Sequence, residues 1–180
     1  MNEKSIIGKS ILLREVKYSD AQTILDWRNC PDVGKYFDNS DGKKRTLDDQ
    51  KKFLDYYYKT ESDHYFIAEL KKSKAPVGTV AIYNHDPYAS KAHWGRVIVD
   101  PKFRFFALEM SFLSIRYGFE TLKLNKLTGD VQTENSGALK FDYALGFEKE
   151  GLLKENHWNG TKKDDVILLA MFKDQYLKLK

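Results

Sequence analysis

The sequence predicts one α+β domain, arranged in three α/β layers around a mixed central sheet of about six to seven strands with about four helices. Three observations predict it. β-rich and helix-periodic runs alternate along all 180 residues, two β-rich runs are joined by a polar turn, and no internal repeat, low-complexity stretch or linker divides the chain.

Residues 11–16, Ile-Leu-Leu-Arg-Glu-Val, read as a first strand. Ser19-Asp20-Ala21-Gln22 forms a capping box that opens a helix through Ile24, Leu25, Trp27 and Arg28, and Pro31 closes that helix. Thr46-Leu47-Asp48-Asp49 starts a second helix carrying Phe53, Leu54 and the tyrosines Tyr56, Tyr57 and Tyr58. Residues 64–70 and 77–83 are rich in β-branched and aromatic side chains, and the polar run from Lys71 to Pro76 between them predicts a hairpin. A loop over 84–91 leads to a fourth strand at 93–99, which Asp100-Pro101 breaks. Phe105, Leu108, Phe112, Ile115 and Phe119, spaced alternately by three and four, predict a helix with these side chains as its buried stripe. Residues 126–132 alternate as a fifth strand with Leu127, Gly129 and Val131 on one face. The run 135–147 describes a short capped helix. Asn135 suits the N-cap, Ala138, Phe141 and Leu145 share a face, and Gly146 can enter the left-handed region that ends it. Two strands at 147–153 and 166–171, joined around Asn159-Gly160, complete the domain.

A chain of this length buries roughly two-thirds of the surface its unfolded form exposes, so it needs no covalent staple. The single cysteine, Cys30, has no intramolecular partner for a disulfide. The opening residues are followed by no long apolar run, so neither a secretory signal nor a membrane span is expected, and the natural location is cytoplasmic. The net charge of +4 comes from lysines spread along the chain rather than a basic stripe, which argues against nucleic acid and leaves a small polyanionic ligand compatible. No spacing of His, Cys, Asp and Glu suggests a metal site.

Several short motifs fall in a telling order. They are Asp26-Trp27-Arg28-Asn29-Cys30-Pro31-Asp32-Val33, Ala92-His93-Trp94-Gly95, Asn135-x-x-Ala138 with Leu145-Gly146-Phe147, and Glu150-Gly151 with Asn159-Gly160 and Asp164-Asp165-Val166. With the order of elements, they resemble the GNAT N-acetyltransferases over essentially the whole chain. The resemblance is greatest to the Rim-like branch of ribosomal-protein alanine, polyamine and amino-sugar acetyltransferases.

The resemblance implies an acyltransferase that passes acetyl from acetyl-CoA to a primary amine by direct attack, with no acyl-enzyme. Such a reaction needs a base, because an ammonium of pKa about 8 to 10 must lose a proton, and it needs a donor for the developing oxyanion. The resemblance places the pantetheine arm on the strand backbone at Val97, Ile98 and Val99. It places the pyrophosphate on the loop and helix start at Lys102, Arg104, Phe105, Phe106, Ala107 and Leu108, with Asn135 and Lys140 also on the cofactor side. The glycines usual in that phosphate loop are absent; Phe105 stands in the place of one, where it can be aimed into the core. The leaving thiolate usually meets a tyrosine seven residues after the asparagine. That position is Asp142, which as an ionised carboxylate donates no proton, so Tyr143, about a third of a helical turn or less away, is the candidate catalytic donor in its place. His93 stands where a glutamate base is common, and an imidazole suits that task at neutral pH; His85 is a competing base.

Trp27, Arg28, Asn29, Tyr83, His85 and Trp94 are the candidate acceptor residues, with Tyr36, Phe37, Tyr56 and Trp158 as further aromatics and the stretch 35–45 as a candidate lid. The pattern points to a nucleotide-linked amino sugar as acceptor, with Arg28 and Asn29 holding its anionic part. A protein N-terminal amine is the alternative acceptor. A catalytically silent scaffold that binds CoA or a partner is the alternative of another class, and a homodimer is compatible with either.

Overall fold

The computed structural model describes residues 5–36 and 43–180, and Phe37 and the centre of the stretch 35–45 lie outside them. Among the described residues the sheet has eight strands: β1 (Ile6–Ile7), β2 (Ile11–Glu15), β3 (His64–Leu70), β4 (Pro76–Asp86), β5 (Lys91–Val99), β6 (Lys126–Gln132), β7 (Glu148–Trp158) and β8 (Lys163–Phe172). Their spatial order is β1-β2-β3-β4-β5-β6-β8-β7. All neighbours are antiparallel except β5 and β6, so the sheet is mixed as the sequence predicts. The helices are α1 (Ala21–Asn29), α2 (Pro31–Gly34), α3 (Leu47–Tyr58), α4 (Ala107–Arg116), α5 (Ser136–Leu145) and α6 (Lys173–Leu179).

Alternation along the strands feeds two cores, one on each face of the sheet. In β3, Tyr65 and Ile67 point to α1 and α3, where they meet Ile24, Trp27, Leu54 and Tyr57. Phe66 and Ala68 point the other way, into a larger core with Met110, Leu113, Leu145 and Tyr176 from α4, α5 and α6. The helix starts and stops follow local chemistry. Thr46 and Asp49 exchange the reciprocal bonds of a capping box, at 2.8 and 3.2 Å. At α1 the predicted Ser19 cap is replaced by a 3₁₀ turn, Tyr18–Asp20, in which Asp20 accepts from the Lys17 amide at 2.7 Å and from both terminal nitrogens of Arg14. Pro31 opens the single turn of α2 rather than simply ending α1, since the first helical position needs no N–H.

The structure corrects the stripe on α4. Ile115 and Phe119 are buried, but Phe105 is 91% exposed and Leu108 and Phe112 are also exposed. The chain enters α4 through a kinked 3₁₀ segment, Pro101–Phe106, with Phe103 at φ −120°, ψ 20°, so the helical phase assumed for Phe105 does not hold. The inward face is Met110, Leu113, Ser114 and Tyr117, and a π-type turn at Tyr117–Thr121 carries Phe119 inward. Phe105 therefore points to solvent and not into the core.

Two features of β5 shape the cleft. Thr79 pairs with Ile98 and Ala81 with Gly95, so two steps on β4 face three on β5, a bulge at Arg96 and Val97. Arg96 takes φ 52°, a left-handed conformation unusual for a side chain of this kind, and its carbonyl accepts from the Thr79 hydroxyl at 2.9 Å. Parallel pairing with β6 covers only Lys91 to His93 against Lys126 to Thr128. Past His93 the two strands part.

Candidate active site

The parting of β5 from β6 opens a cleft of about 850 Å³ that passes between the two faces of the sheet. Gly95, Arg96, Val97 and Val99 line it from β5, Gly129 to Gln132 from β6, and Asn135, Gly137, Ala138, Phe141 and Asp142 from α5 and its cap. Arg104 and Ala107 stand at the entrance to α4, and Tyr36, Tyr83, His93 and His157 on the other side. Ala138 and Phe141 pack with the α4–α6 core and Tyr83 with the α1–α3 core, so the cleft joins the two layers.

His93 sits at the fork. Its Nε2 is 2.7 Å from Asp130 Oδ1 and its Nδ1 is 3.2 Å from Thr128 Oγ1. With Nε2–H donating to Asp130, Nδ1 accepts from the Thr128 hydroxyl, which also lies 3.3 Å from the Ala92 carbonyl; the tautomer is assigned from this network. The imidazole thus presents no free lone pair to the cleft. The hydrogen bond from His93 holds the Asp130 carboxyl below the usual carboxylate range, and Asp130 remains half-exposed at the cleft. Tyr83 packs on the His93 ring at 4.8 Å, and burial pushes its phenol up to about 12. The Arg96 guanidinium lies 4.0 Å from the Tyr83 centroid and 3.0 Å from buried Asp63, so its charge is already committed. Gln132 Nε2 donates to the Tyr36 carbonyl at 3.3 Å and to His157 Nε2 at 3.0 Å, closing the cleft wall on that side.

On the α5 side, the helix forms as its sequence predicts. Asn135 Oδ1 accepts from the Ala138 amide at 3.2 Å, and Gly146 closes the helix at φ 98°. One turn and a half into α5, Asp142 is buried and faces the cleft, while Tyr143 is exposed and lies outside it. A single residue rotates a helix by about 100°, enough to separate them. The Asp142 carboxyl makes no hydrogen bond or ion pair among the described residues, and burial pushes it up to about 7.

Of the residues singled out from sequence, His93, Tyr83, Trp94, Val97, Val99, Arg104, Ala107 and Asn135 meet at this cleft. Ile98 turns to the opposite core, as alternation requires. Lys102, Phe105, Phe106, Leu108 and Lys140 lie outside the lining. Trp27, Arg28 and Asn29 do not reach it either. Trp27 is buried and donates to Asp100 Oδ2 at 3.0 Å, and Asp100 caps the 3₁₀ segment through the Lys102 amide at 2.9 Å. Asn29 brackets the Arg45 backbone with both ends of its amide. His85 belongs to β4 and stands beside His64, 6.2 Å between rings. Tyr36, among the further aromatics, also lines the cleft, whereas Asp130, Gln132 and His157 are cleft residues that sequence reasoning did not assign to it. For Asp130 a signal existed, since it shares a β6 face with Thr128, which pairs with His93. Among the described residues, no group of three or more His, Cys, Asp or Glu is placed to hold a metal ion, and no helix is long and apolar enough to cross a membrane.

The site is thus a mixed sheet split between one parallel pair, with a helix-lined groove on one face and a carboxylate–imidazole pair on the other. The acetyltransferase (GNAT) domain family matches residues 10–148, and the chain belongs to that family. It is similar to the uncharacterized N-acetyltransferase p20 of Bacillus licheniformis, 24% identical over 96% of this chain and 98% of the relative. It is also similar to the uncharacterized N-acetyltransferase YoaA of Bacillus subtilis (strain 168), 25% identical over 86% and 89%. Among solved structures it is similar in fold to the spermidine N-acetyltransferase of Vibrio cholerae in complex with CoA and spermine. That likeness has a TM-score of 0.83 at 21% identity, covering 94% of this chain and 99% of the other.

Proposed function

We propose that this acetyltransferase moves acetyl from acetyl-CoA to a primary amine of a small cationic molecule by direct attack, with no acyl-enzyme. The observation that carries the reading is the Asp130 carboxylate, held ionised by His93 and open to the cleft on the face opposite α5. The cleft fits a pantetheine thioester. The β5 edge beyond His93 is released from β6, so its backbone groups can pair with an extended arm as an added strand does. Arg104 and the start of α4 at one end suit phosphates by charge and by amides at a helix N-terminus. The volume lies in the ordinary range for ligand sites. Phe105, turned to solvent, leaves that end open despite the missing glycine.

On the other face, Asp130 receives the ammonium of the acceptor through a charge-assisted hydrogen bond and orients its nitrogen toward the thioester. Asp130 takes the ammonium proton and passes it to solvent, leaving a neutral nucleophile, while His93, both ring nitrogens engaged, holds the carboxylate in place. Backbone N–H groups at the β5 fork face the carbonyl oxygen as negative charge develops on it. A cationic acceptor suits this wall better than the nucleotide-linked amino sugar. Arg96 is committed to Asp63, and Arg28 and Asn29 do not line the cleft, so no free cation awaits an acceptor phosphate among the lining residues of that face. The Vibrio cholerae relative with spermine supports the same class of acceptor. Release of free thiol from acetyl-CoA with spermidine, a nucleotide-linked amino sugar and a peptide with a free N-terminus tests the reading. Turnover with spermidine is expected; turnover confined to the sugar or the peptide would reverse the acceptor assignment, and binding of acetyl-CoA without turnover of any amine would favour the silent scaffold.

A further inference from the structure

We propose that Asp142 is the catalytic proton donor to the departing sulfur, acting as a neutral carboxylic acid from the α5 wall of the cleft. The proposal rests on the acetyltransferase reading above and goes beyond it. A carboxyl in a protein interior normally has a partner, yet Asp142 has none among the described residues and still faces the cleft. Its side of the cleft is the one that opens toward Arg104 and Ala107, and the carboxylate–imidazole pair occupies the other. An acid and a base on opposite walls match a reaction in which a proton leaves the amine on one face and another reaches the sulfur on the other.

The environment keeps the acid neutral. Burial alone raises the Asp142 carboxyl to about 7, with no charged group contributing. Across the cleft stand His93 and Arg96 on β5, Asp130 on β6, Arg104 before α4 and His157 on β7, of which Arg96 and His93 are bound to carboxylates. On α4, which packs on α5, Glu109 accepts from the Ser10 amide and Arg116 donates to the Ile7 carbonyl, so both are turned away. On α5 itself Lys140 and Tyr143 point to solvent. The step balances as follows. The amine nitrogen bonds to the acetyl carbon, the carbon–sulfur bond breaks with its electron pair kept by sulfur, and the Asp142 proton passes to that sulfur to give the free thiol. The Asp142 carboxylate then regains a proton from water.

Carboxyl-¹³C NMR of aspartate-labelled protein tests this without turnover. One resonance, absent from Asp142→Asn, is expected to titrate near neutrality and to shift when CoA is added but much less with desulfo-CoA, calorimetry confirming that both bind. An Asp142 resonance that titrates in the ordinary aspartate range, or ignores CoA that calorimetry shows bound, overturns the proposal. CoA that does not bind at all overturns the acetyltransferase reading instead. In turnover with the acceptor amine, Asp142→Asn is expected to lower kcat roughly 100-fold with the CoA affinity unchanged and the alkaline limb near neutrality lost, and Asp142→Tyr to restore part of the rate. An Asn variant with wild-type kcat and pH profile would overturn it as well.

Discussion

Asp142→Asn has a consequence for stability that needs no ligand. In the folded protein the carboxyl is pushed from 3.8 to about 7, because its charged form would be stranded in a buried wall. Between those values the folded state holds a proton that the unfolded chain has released, so unfolding stability falls as pH rises. The stabilising contribution is complete below the unfolded value and lost as pH climbs through the folded one. A shift of about three units at 1.36 kcal/mol each amounts to about 4 kcal/mol over the whole window, and about 2.3 kcal/mol between pH 5 and 7, the folded carboxyl being half ionised at the upper end. Asparagine has the same shape and no charge to bury, so the variant lacks this slope. Urea unfolding of both proteins at pH 5, 6, 7 and 8 measures it, with other carboxylates cancelling in the difference. The expected result is a variant that gains on the wild type by about 2 to 3 kcal/mol from pH 5 to 7. Parallel profiles would show that Asp142 ionises freely, refuting the argument from burial.

Three further outcomes follow from the geometry. Asp130→Asn removes the charge facing the acceptor and is expected to raise KM for spermidine roughly 10- to 150-fold, the equivalent of a charge-assisted hydrogen bond of about 1.5–3 kcal/mol, with acetyl-CoA binding intact by calorimetry. Gly78→Ala would set a Cβ 2.1 Å from the Ile98 carbonyl oxygen, so β4 and β5 must separate at the bulge; urea unfolding should register a loss of about 1–3 kcal/mol. Phe105→Ser is expected to change stability by no more than about 0.5 kcal/mol, whereas Phe119→Ala should destabilise by about 3–5 kcal/mol, and comparable losses at the two would contradict the placement of Phe105 in solvent.

Most of the fold is written in local pattern. The alternation at residues 126–132 correctly buries Leu127, Gly129 and Val131, and the Asn135 cap with the Gly146 exit correctly bounds α5. β1, with two residues, and α6, with seven, are too short to leave a period that can be read. The α4 stripe misleads because a 3₁₀ entry and a π-type turn change the phase at both ends, and periodicity assumes that phase is constant. The site is less legible for a similar reason. His93 is visible as a residue, but its partnership with Asp130 depends on the register of a parallel pair that a helix separates in sequence. Trp27 and Asn29 sit in a motif that carries the family resemblance, yet their side chains anchor Asp100 and the Arg45 backbone, contacts that depend on distant segments. Asp142 is seen in the sequence as an obstacle to acid catalysis, and only its burial makes it a candidate for that role.

The central claim is that the groove opened by the parting of β5 and β6 holds the acetyl-CoA thioester. Hydrogen–deuterium exchange with and without millimolar acetyl-CoA tests it most directly. Protection is predicted at residues 94–99, 104–108 and 135–142 and little elsewhere. Unchanged exchange across these three segments, or protection confined to another surface such as the exposed edge of β7, would contradict it.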